Sequence, residues 1–316
     1  MTALDDDPGV TVRLTEQEAV PNLRIVLELC ASGSLRCSEK TRRPAATSVT
    51  GLSLLLAEGD FYPHEPIAAY AWPLLVQAGS LAELAGNRLQ LTTRGRAALT
   101  APPSTTIRDL WRRWGSHAVI DELSRVETIK GQRSANALTA AKTRRQVVGE
   151  ALRTCPAGDW VSIDELFMRM QRANLSPTVA RNERGLWKLY IRDSQYGSLG
   201  YAGFHDWTPL EGRYTLAVLF EYAATLGLID VAYTDPAGAR DDFVGWPGGI
   251  APPGSHRTVR EPLGSHGSCH PGHHAARVTD QCANSRGYLL VIPCQHAKAL
   301  VNARNRLYFL RIQRNR

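Results

Sequence analysis

The sequence of 316 residues predicts a mainly helical α+β fold with small β-hairpins, and three observations carry that expectation. Apolar residues recur at helical spacing (i, i+3, i+4, i+7), as in Leu23, Val26, Leu27 and Cys30, and again in Ile107, Leu110, Trp111 and Trp114. Two short apolar runs in SLAELAGNRLQLT flank Gly86-Asn87, residues that tolerate the positive φ of a tight hairpin turn. The order helix, strand, helix, helix, hairpin runs through residues 21–101, and a second pass of the same theme follows. That is the order of a winged helix-turn-helix. The expected architecture is two tandem winged helix-turn-helix units followed by an irregular, disordered C-terminal tail.

Each element has a local reason. Residues 1–20 are expected to be disordered, and the first helix to start with Asn22 as its cap, run to Ser32 and stop at Gly33. Leu35-Arg36-Cys37 reads as a short strand, Thr47 to Leu56 as the second helix, and PIAAYAWPLLVQA, Pro66 to Ala78, as the third, closed by Gly79. LTTRGRAAL, Leu91 to Leu99, supplies the closing wing strand and a following helix. The second domain, 102–243, opens with a connector helix capped by Thr105, TIRDLWRRWG. Its winged unit takes Lys142 to Thr154 as first helix, with Val147, Val148, Ala151 and Leu152 inward. Trp160 to Ile163 is its strand, Asp164 to Ala173 its second helix, and Leu210 to Leu226 a long, nearly all-round apolar helix ended by Gly227. Residues Asn174 to Pro209 interrupt the unit as an insertion.

Composition changes near Phe243. Residues 1–243 hold 27 Lys+Arg against 28 Asp+Glu, whereas 244–316 hold 10 against 2, so the net charge of +7 belongs to the tail. Six of the nine His lie there, in runs such as GSHGSCHPGHH, and periodicity is lost between residues 245 and 286. Three readings stay open: a flexible basic tail that serves binding, coding sequence outside the ancestral reading frame, or a small folded element. Cys269, His270, His273, His274, Cys282, Cys294 and His296 are numerous enough for a tetrahedral zinc site. Their spacing matches no paired ligand pattern, so no metal site is assigned. Cys30 and Cys155 fall on apolar helix faces, where a small buried thiol is expected.

The enzyme motifs sought are absent: no GxxxxGK(S/T) phosphate loop, HExxH, GxSxG elbow or kinase set. GSLGYAG, with Gly197, Gly200 and Gly203, reads as a turn, and the neighbours His205 and Asp206 have no nucleophile spaced to join them. No catalysis and no cofactor are expected. The stretch Tyr214 to Tyr233 carries Glu221 and Asp230, which argues against a membrane span. The acidic start MTALDDDPG lacks the regions of a signal peptide, so a cytoplasmic protein is expected.

Candidate nucleic-acid contacts follow from where cations fall. In the first unit the third helix has no Arg, Lys, Asn or Ser, and its Gln77 lies near the end that should face the core. Base readout is therefore not expected, while Arg36, Lys40, Arg42 and Arg43 in the first loop and Arg88, Arg94 and Arg96 in the wing could contact phosphates. In the second unit Lys142, Arg144 and Arg145 gather at a helix N-terminus, where the macrodipole disfavours cations; a phosphate partner or plain solvation both explain them. In the insertion Arg181, Arg184, Lys188 and Arg192 recur at helical spacing with Trp187 and Tyr190 interleaved. That suits either a backbone-tracking face with stacking rings or a solvated helix face with two core aromatics.

The succession LTTRGRAAL, IRDLWRRWG, DELSRVETIKGQ, GDWVSIDEL and ATLGLIDVAY resembles bacterial tandem winged-helix proteins of the helicase-associated kind, over residues 22–243. The resemblance implies a DNA-associated regulator or an accessory unit of a DNA-processing system. The expected partner is duplex DNA, held weakly and with salt dependence. The alternative is a protein-interaction or dimerisation module with a protein partner or a second copy of the chain, including a remnant of a longer protein.

Overall fold

The computed structural model describes residues 10–62, 66–117, 119–127, 129–191, 197–202, 209–234 and 309–313. It is a mixed α+β structure of helices with small antiparallel sheets. Strand β1 (Val10–Arg13) and helix α1 (Thr15–Ala31) come first, so the N-terminal segment expected to be disordered is ordered from Val10 onward. Helix α1 starts seven residues before the expected cap. Asn22 lies inside it, buried, and its side-chain oxygen accepts from the Ala57 amide at 2.8 Å. Local sequence favoured a cap at Asn22; a tertiary contact took its oxygen instead. The inward face is as expected, with Leu23, Val26, Leu27 and Cys30 all buried.

After Gly33, at φ +65°, the segment Leu35–Cys37 runs beside a two-stranded hairpin, β2 (Ala82–Ala85) and β3 (Arg88–Leu91), turned by Gly86 at φ +59°. Leu89 donates to the Leu35 carbonyl and Cys37 to the Asn87 carbonyl, both at 2.8 Å, with Arg36 opposite Arg88. Between them stand α2 (Ala46–Ser53) and α3 (Ala68–Ala78). The N-terminus of α3 is closed from a distance: the Asp60 carboxylate accepts from the amides of Ile67, Ala68 and Ala69 at 2.9 Å. Helix α4 (Thr93–Ala98) follows the hairpin and is capped by Thr92, which accepts from Gly95 at 3.0 Å. Gly95 is required there, because a methyl group would overlap the Leu81 carbonyl.

Helix α5 (Pro103–Ser116) is the connector. Pro102 holds its N-cap position and Thr105 lies one turn inside, which replaces the expected Thr105 cap; proline at the first helical position lacks the amide that would be orphaned there. Ile107, Leu110 and Trp114 are buried and Trp111 half-buried, as the spacing predicts. The chain continues through a short turn (Glu122–Arg125), β4 (Ile129–Lys130), α6 (Ala141–Arg153), β5 (Trp160–Ser162) and α7 (Ile163–Arg172), the last capped by Ser162. The insertion contains α8 (Glu183–Trp187) and β6 (Tyr190–Ile191), which pairs with β4. Helix α9 (Pro209–Ala217) then runs straight into a π-helical stretch, Val218–Ala224, and β7 (Ile229–Thr234) follows Gly227.

Strand β8 (Phe309–Ile312) completes the second sheet, in the order β1-β7-β8-β5, antiparallel throughout. This corrects the expectation of an irregular tail from residue 244 to the end, since Leu310 is buried and Arg311 donates to the Asp230 carboxylate at 3.0 Å. Residues 235–308, with the His- and Cys-rich runs, lie outside the described residues. The pairing repeats that of the first sheet. In each case the early strand lies against the second strand of a later antiparallel pair: Leu35–Cys37 against β3, and β5 against β8.

The two groups of elements share one core. Phe61 meets Phe220 and Tyr233 edge-on with ring centroids 6.0 and 6.3 Å apart, Trp114 stacks on Tyr222 at 4.6 Å, and α3 lies against the π-helical stretch. The third helix of each group is consequently buried: every residue of α3 except half-buried Tyr70, and every residue from Leu210 to Leu226.

Candidate nucleic-acid interface

The first loop and hairpin assemble part of the expected cation set. Ser38 donates to the Arg43 carbonyl and Arg42 to the Ser38 carbonyl, folding residues 38–43 into a tight loop with Lys40 and Arg42 near its tip. Arg42 sits at φ +61°, a conformation an L side chain adopts only when held. Gln77 holds it: its amide donates to the Arg42 carbonyl at 3.1 Å and its oxygen accepts from Arg42 Nε at 3.1 Å. Gln77 is buried and so reads no base, as its place in the sequence suggested. The loop joins the hairpin because Cys37 bonds Asn87, which sets Arg36 directly opposite Arg88. Both are exposed, and like charges facing across strands are destabilising. Arg88 is steadied by the Gly33 carbonyl at 3.0 Å. Arg36, Lys40, Arg42 and Arg88 thus form one exposed basic edge, with Glu39 near the turn at Gly86.

Other expected contacts go elsewhere. Arg43 is half-buried and donates to Ser124 Oγ at 2.7 Å. Arg94 and Arg96 are not wing residues but lie on α4, the helix expected after the wing, because β3 ends at Leu91 and Thr92 caps that helix at once. Arg94 pairs with Asp109 at 2.6 Å, and Arg96 donates to the Leu91 carbonyl at 2.8 Å.

Helix α6 overturns the reading of its basic triplet. Lys142 is exposed, but Arg144 and Arg145 are 1% and 2% exposed, so neither meets a solvent-borne phosphate. Arg145 donates to the carbonyls of Trp114 (2.6 Å), His117 (2.9 Å) and Ile120 (3.0 Å) and to the fully buried Glu122 carboxylate at 2.9 Å, and its guanidinium lies over the Trp114 ring. Tyr214 completes that site by donating to the other Glu122 oxygen at 3.3 Å. Arg144 pairs with Asp121 over the Tyr214 ring. These arginines fasten α6 to the connector end and the third helix. Nothing in the local sequence distinguishes them from Lys142; their partners lie more than twenty residues away.

Buried thiols explain the cysteines. Burial pushes Cys30 up to about 12 and Cys37 up to about 11, against which Arg42 pulls Cys37 down, so neither is a thiolate near neutrality. Cys155 is likewise buried and raised by burial. Among the described residues no group of three His, Cys, Asp or Glu is placed to hold a metal ion, and no helix is long and apolar enough to cross a membrane. The tail's Cys and His residues, His205 and Asp206 lie outside the described residues.

In the insertion Arg181, Arg184 and Lys188 are exposed, while Arg192 lies outside the described residues. Arg181 donates to Asn136 Oδ1 at 2.8 Å and Lys188 to the Ala135 carbonyl at 2.7 Å, which brings the turn at residues 131–137 alongside. That turn carries Arg133 and follows Lys130, two exposed cations that were not singled out in the sequence. Of the two aromatics expected in this stretch, Tyr190 is half-buried and Trp187 is 45% exposed. Compared with family models, curated proteins and solved structures, the chain matches none.

Proposed function

We propose that the chain is a non-catalytic protein of two winged-helix units that associates with duplex DNA through its phosphate backbone, without reading bases, as a regulator or accessory unit of a DNA-processing system. The winged-helix reading is supported by the order helix, strand, helix, helix and hairpin in the first group, and by a second group in which a strand after the first helix, β5, again pairs with the last strand of an antiparallel pair, β7–β8. The absence of base readout is supported by burial of both third helices, since a winged helix reads sequence by laying that helix in the major groove. The observation that carries the DNA contact is the exposed edge of Arg36, Lys40, Arg42 and Arg88, held in place by Gln77 and by cross-strand bonding. Such contacts position without specifying, and each phosphate neutralised steepens the salt dependence.

The test is fluorescence anisotropy of the full chain on a generic duplex at several salt concentrations, against R36A/R88A and K40A/R42A. Each double variant is expected to weaken binding for all duplex sequences alike and to reduce the salt slope by roughly 1 per lost contact. Wild-type binding by both variants would transfer the attraction to the basic residues 244–316 and end the reading for the first unit. The competing reading, a protein-interaction or dimerisation module, is favoured by adjacent Leu54 and Leu55, 82% and 51% exposed at the end of α2. It would be preferred if the full chain bound no duplex and sedimented as a dimer that L54K/L55K dissociates.

A further inference from the structure

Among the described residues the exposed aromatic side chains are Trp187 and Tyr201, and they touch. Their ring centroids are 4.8 Å apart at 73°, and Tyr201 is 50% exposed. The indole is held rather than loose. Gly200 lies directly against it, so close that a methyl group there would overlap Cγ, Cδ2 and Cε2 of the ring. The turn Leu199–Ala202 that carries Gly200 is bonded to the end of α8: Leu199 donates to the Leu189 carbonyl at 2.9 Å, and Ser198 Oγ to the Trp187 carbonyl at 3.1 Å. Leu199 and Leu189 are buried beneath, which anchors the turn.

Cations lie on α8 and on the turn packed against its end. Arg184 precedes Trp187 by one helical turn and Lys188 follows it, so Arg184, Trp187 and Lys188 share the exposed side of α8. Lys130 stands directly across the β4–β6 pair from Tyr190, and Gly131 fits against the Lys188 carbonyl, which seats the turn that carries Arg133 against the end of α8. Glu183 is the exposed carboxylate on α8. On α8, Lys188 and the adjoining turn, exposed cations therefore outnumber exposed carboxylates, beside two rings that face solvent.

We propose that Trp187 and Tyr201, flanked by Lys130, Arg133, Arg184 and Lys188, form a stacking face for single-stranded nucleic acid. Every base offers a π-face, so stacking on a fixed ring is tolerant of sequence, and the cations meet the backbone between bases. A proline-rich peptide also seeks paired aromatic rings, but it carries no charge that four cations would serve. This face belongs to the second unit and is independent of the duplex contact proposed for the first.

The experiment uses the full chain with a fluorescein-labelled oligo(dT) of about 12 nucleotides, within the site sizes typical of stacking proteins. Anisotropy and quenching of indole fluorescence are read together. Affinity is expected to fall about tenfold in W187A and in Y201A, to hold within about twofold in W187F, and to fall in R184A with a smaller salt slope. G200A, which adds only a methyl group, is expected to weaken binding by displacing the indole. Y201A and R184A change exposed side chains, so they report even where W187A unfolds. R36A/R88A, which tests the duplex contact, should leave the quenching signal in place. Wild-type affinity for oligo(dT) in both W187A and Y201A would overturn the proposal. So would quenching by a polyproline peptide with none by oligo(dT).

Discussion

Arg145 reaches three main-chain carbonyls and one carboxylate inside a shell closed by Trp114 and Tyr214, whereas Lys142, one turn earlier on the same helix, reaches water. Removing one partner of a buried ion pair strands the other, which costs about 3–5 kcal/mol. R145M is therefore expected to lower the unfolding free energy by roughly that much in urea titration, and K142A by less than about 0.5 kcal/mol. Equal small effects would place Arg145 at the surface. The same contrast governs the first unit. Arg36 faces Arg88 at the surface, while Arg94 pairs with Asp109.

At the scale of elements, β8 decides what the C-terminal part of the chain is. It enters between β7 and β5, with Val231 opposite Leu310 and Val161 opposite Leu310 on the other side. Without it those two strands would face each other across a missing ladder. Leu310 is 1% exposed, so L310A is expected to cost about 2–5 kcal/mol, measured by the urea midpoint of the full chain. No loss of stability would return residues 309–312 to an irregular tail. A chain ending at residue 243 is accordingly not a folded equivalent of the whole, because its second sheet lacks a central strand. The N-terminal strand acts at the other edge: β1 pairs with β7 from Val10 to Arg13, and Arg13 then bonds Glu18 and the carbonyls of Gly59 and Asp60. An N-terminal segment thereby ties the second sheet to the first group of helices.

For the whole molecule the consequence is cooperativity. Phe61 belongs to the first group of elements, Phe220 and Tyr233 to the second, and their rings form one cluster; burial pushes the Tyr233 hydroxyl up to about 12 while it donates to the Phe61 carbonyl at 2.7 Å. Two winged units joined by a linker would melt separately, whereas units sharing a core lose it together. Helix content by circular dichroism and indole fluorescence are expected to report one transition with a common midpoint in the full chain. Two resolved midpoints would show that the shared core contributes little. The same packing bears on function, since a third helix engaged with its counterpart is not presented to a major groove. The proposed DNA contact accordingly uses the first loop and hairpin and the insertion, where exposed cations lie.

Periodicity and turn chemistry were legible in the residues themselves. Leu23, Val26, Leu27 and Cys30 point inward because helical spacing leaves them nowhere else, Gly86-Asn87 turns a hairpin in which Gly86 alone of the two takes positive φ, and Gln77 faces inward near the end of an apolar helix. These are local consequences of backbone geometry, and the order of elements follows from them. Partners far apart in sequence were not legible. Asn22 bonds Ala57 instead of capping a helix, Asp60 caps α3 across an intervening loop, Arg144 and Arg145 are drawn inside by Asp121 and Glu122, and Trp187 meets Tyr201 only because Gly200 has no side chain. A strand whose pairing partner is seventy or more residues away carries no periodic signal in four residues, so β1 and β8 appear only once the sheet exists. Local spacing and turn chemistry place most of the helices and the turn of the first hairpin, whereas the start of α1, the strands β1 and β8 and the burial of particular cations are settled by packing, because burial depends on what the rest of the chain brings alongside.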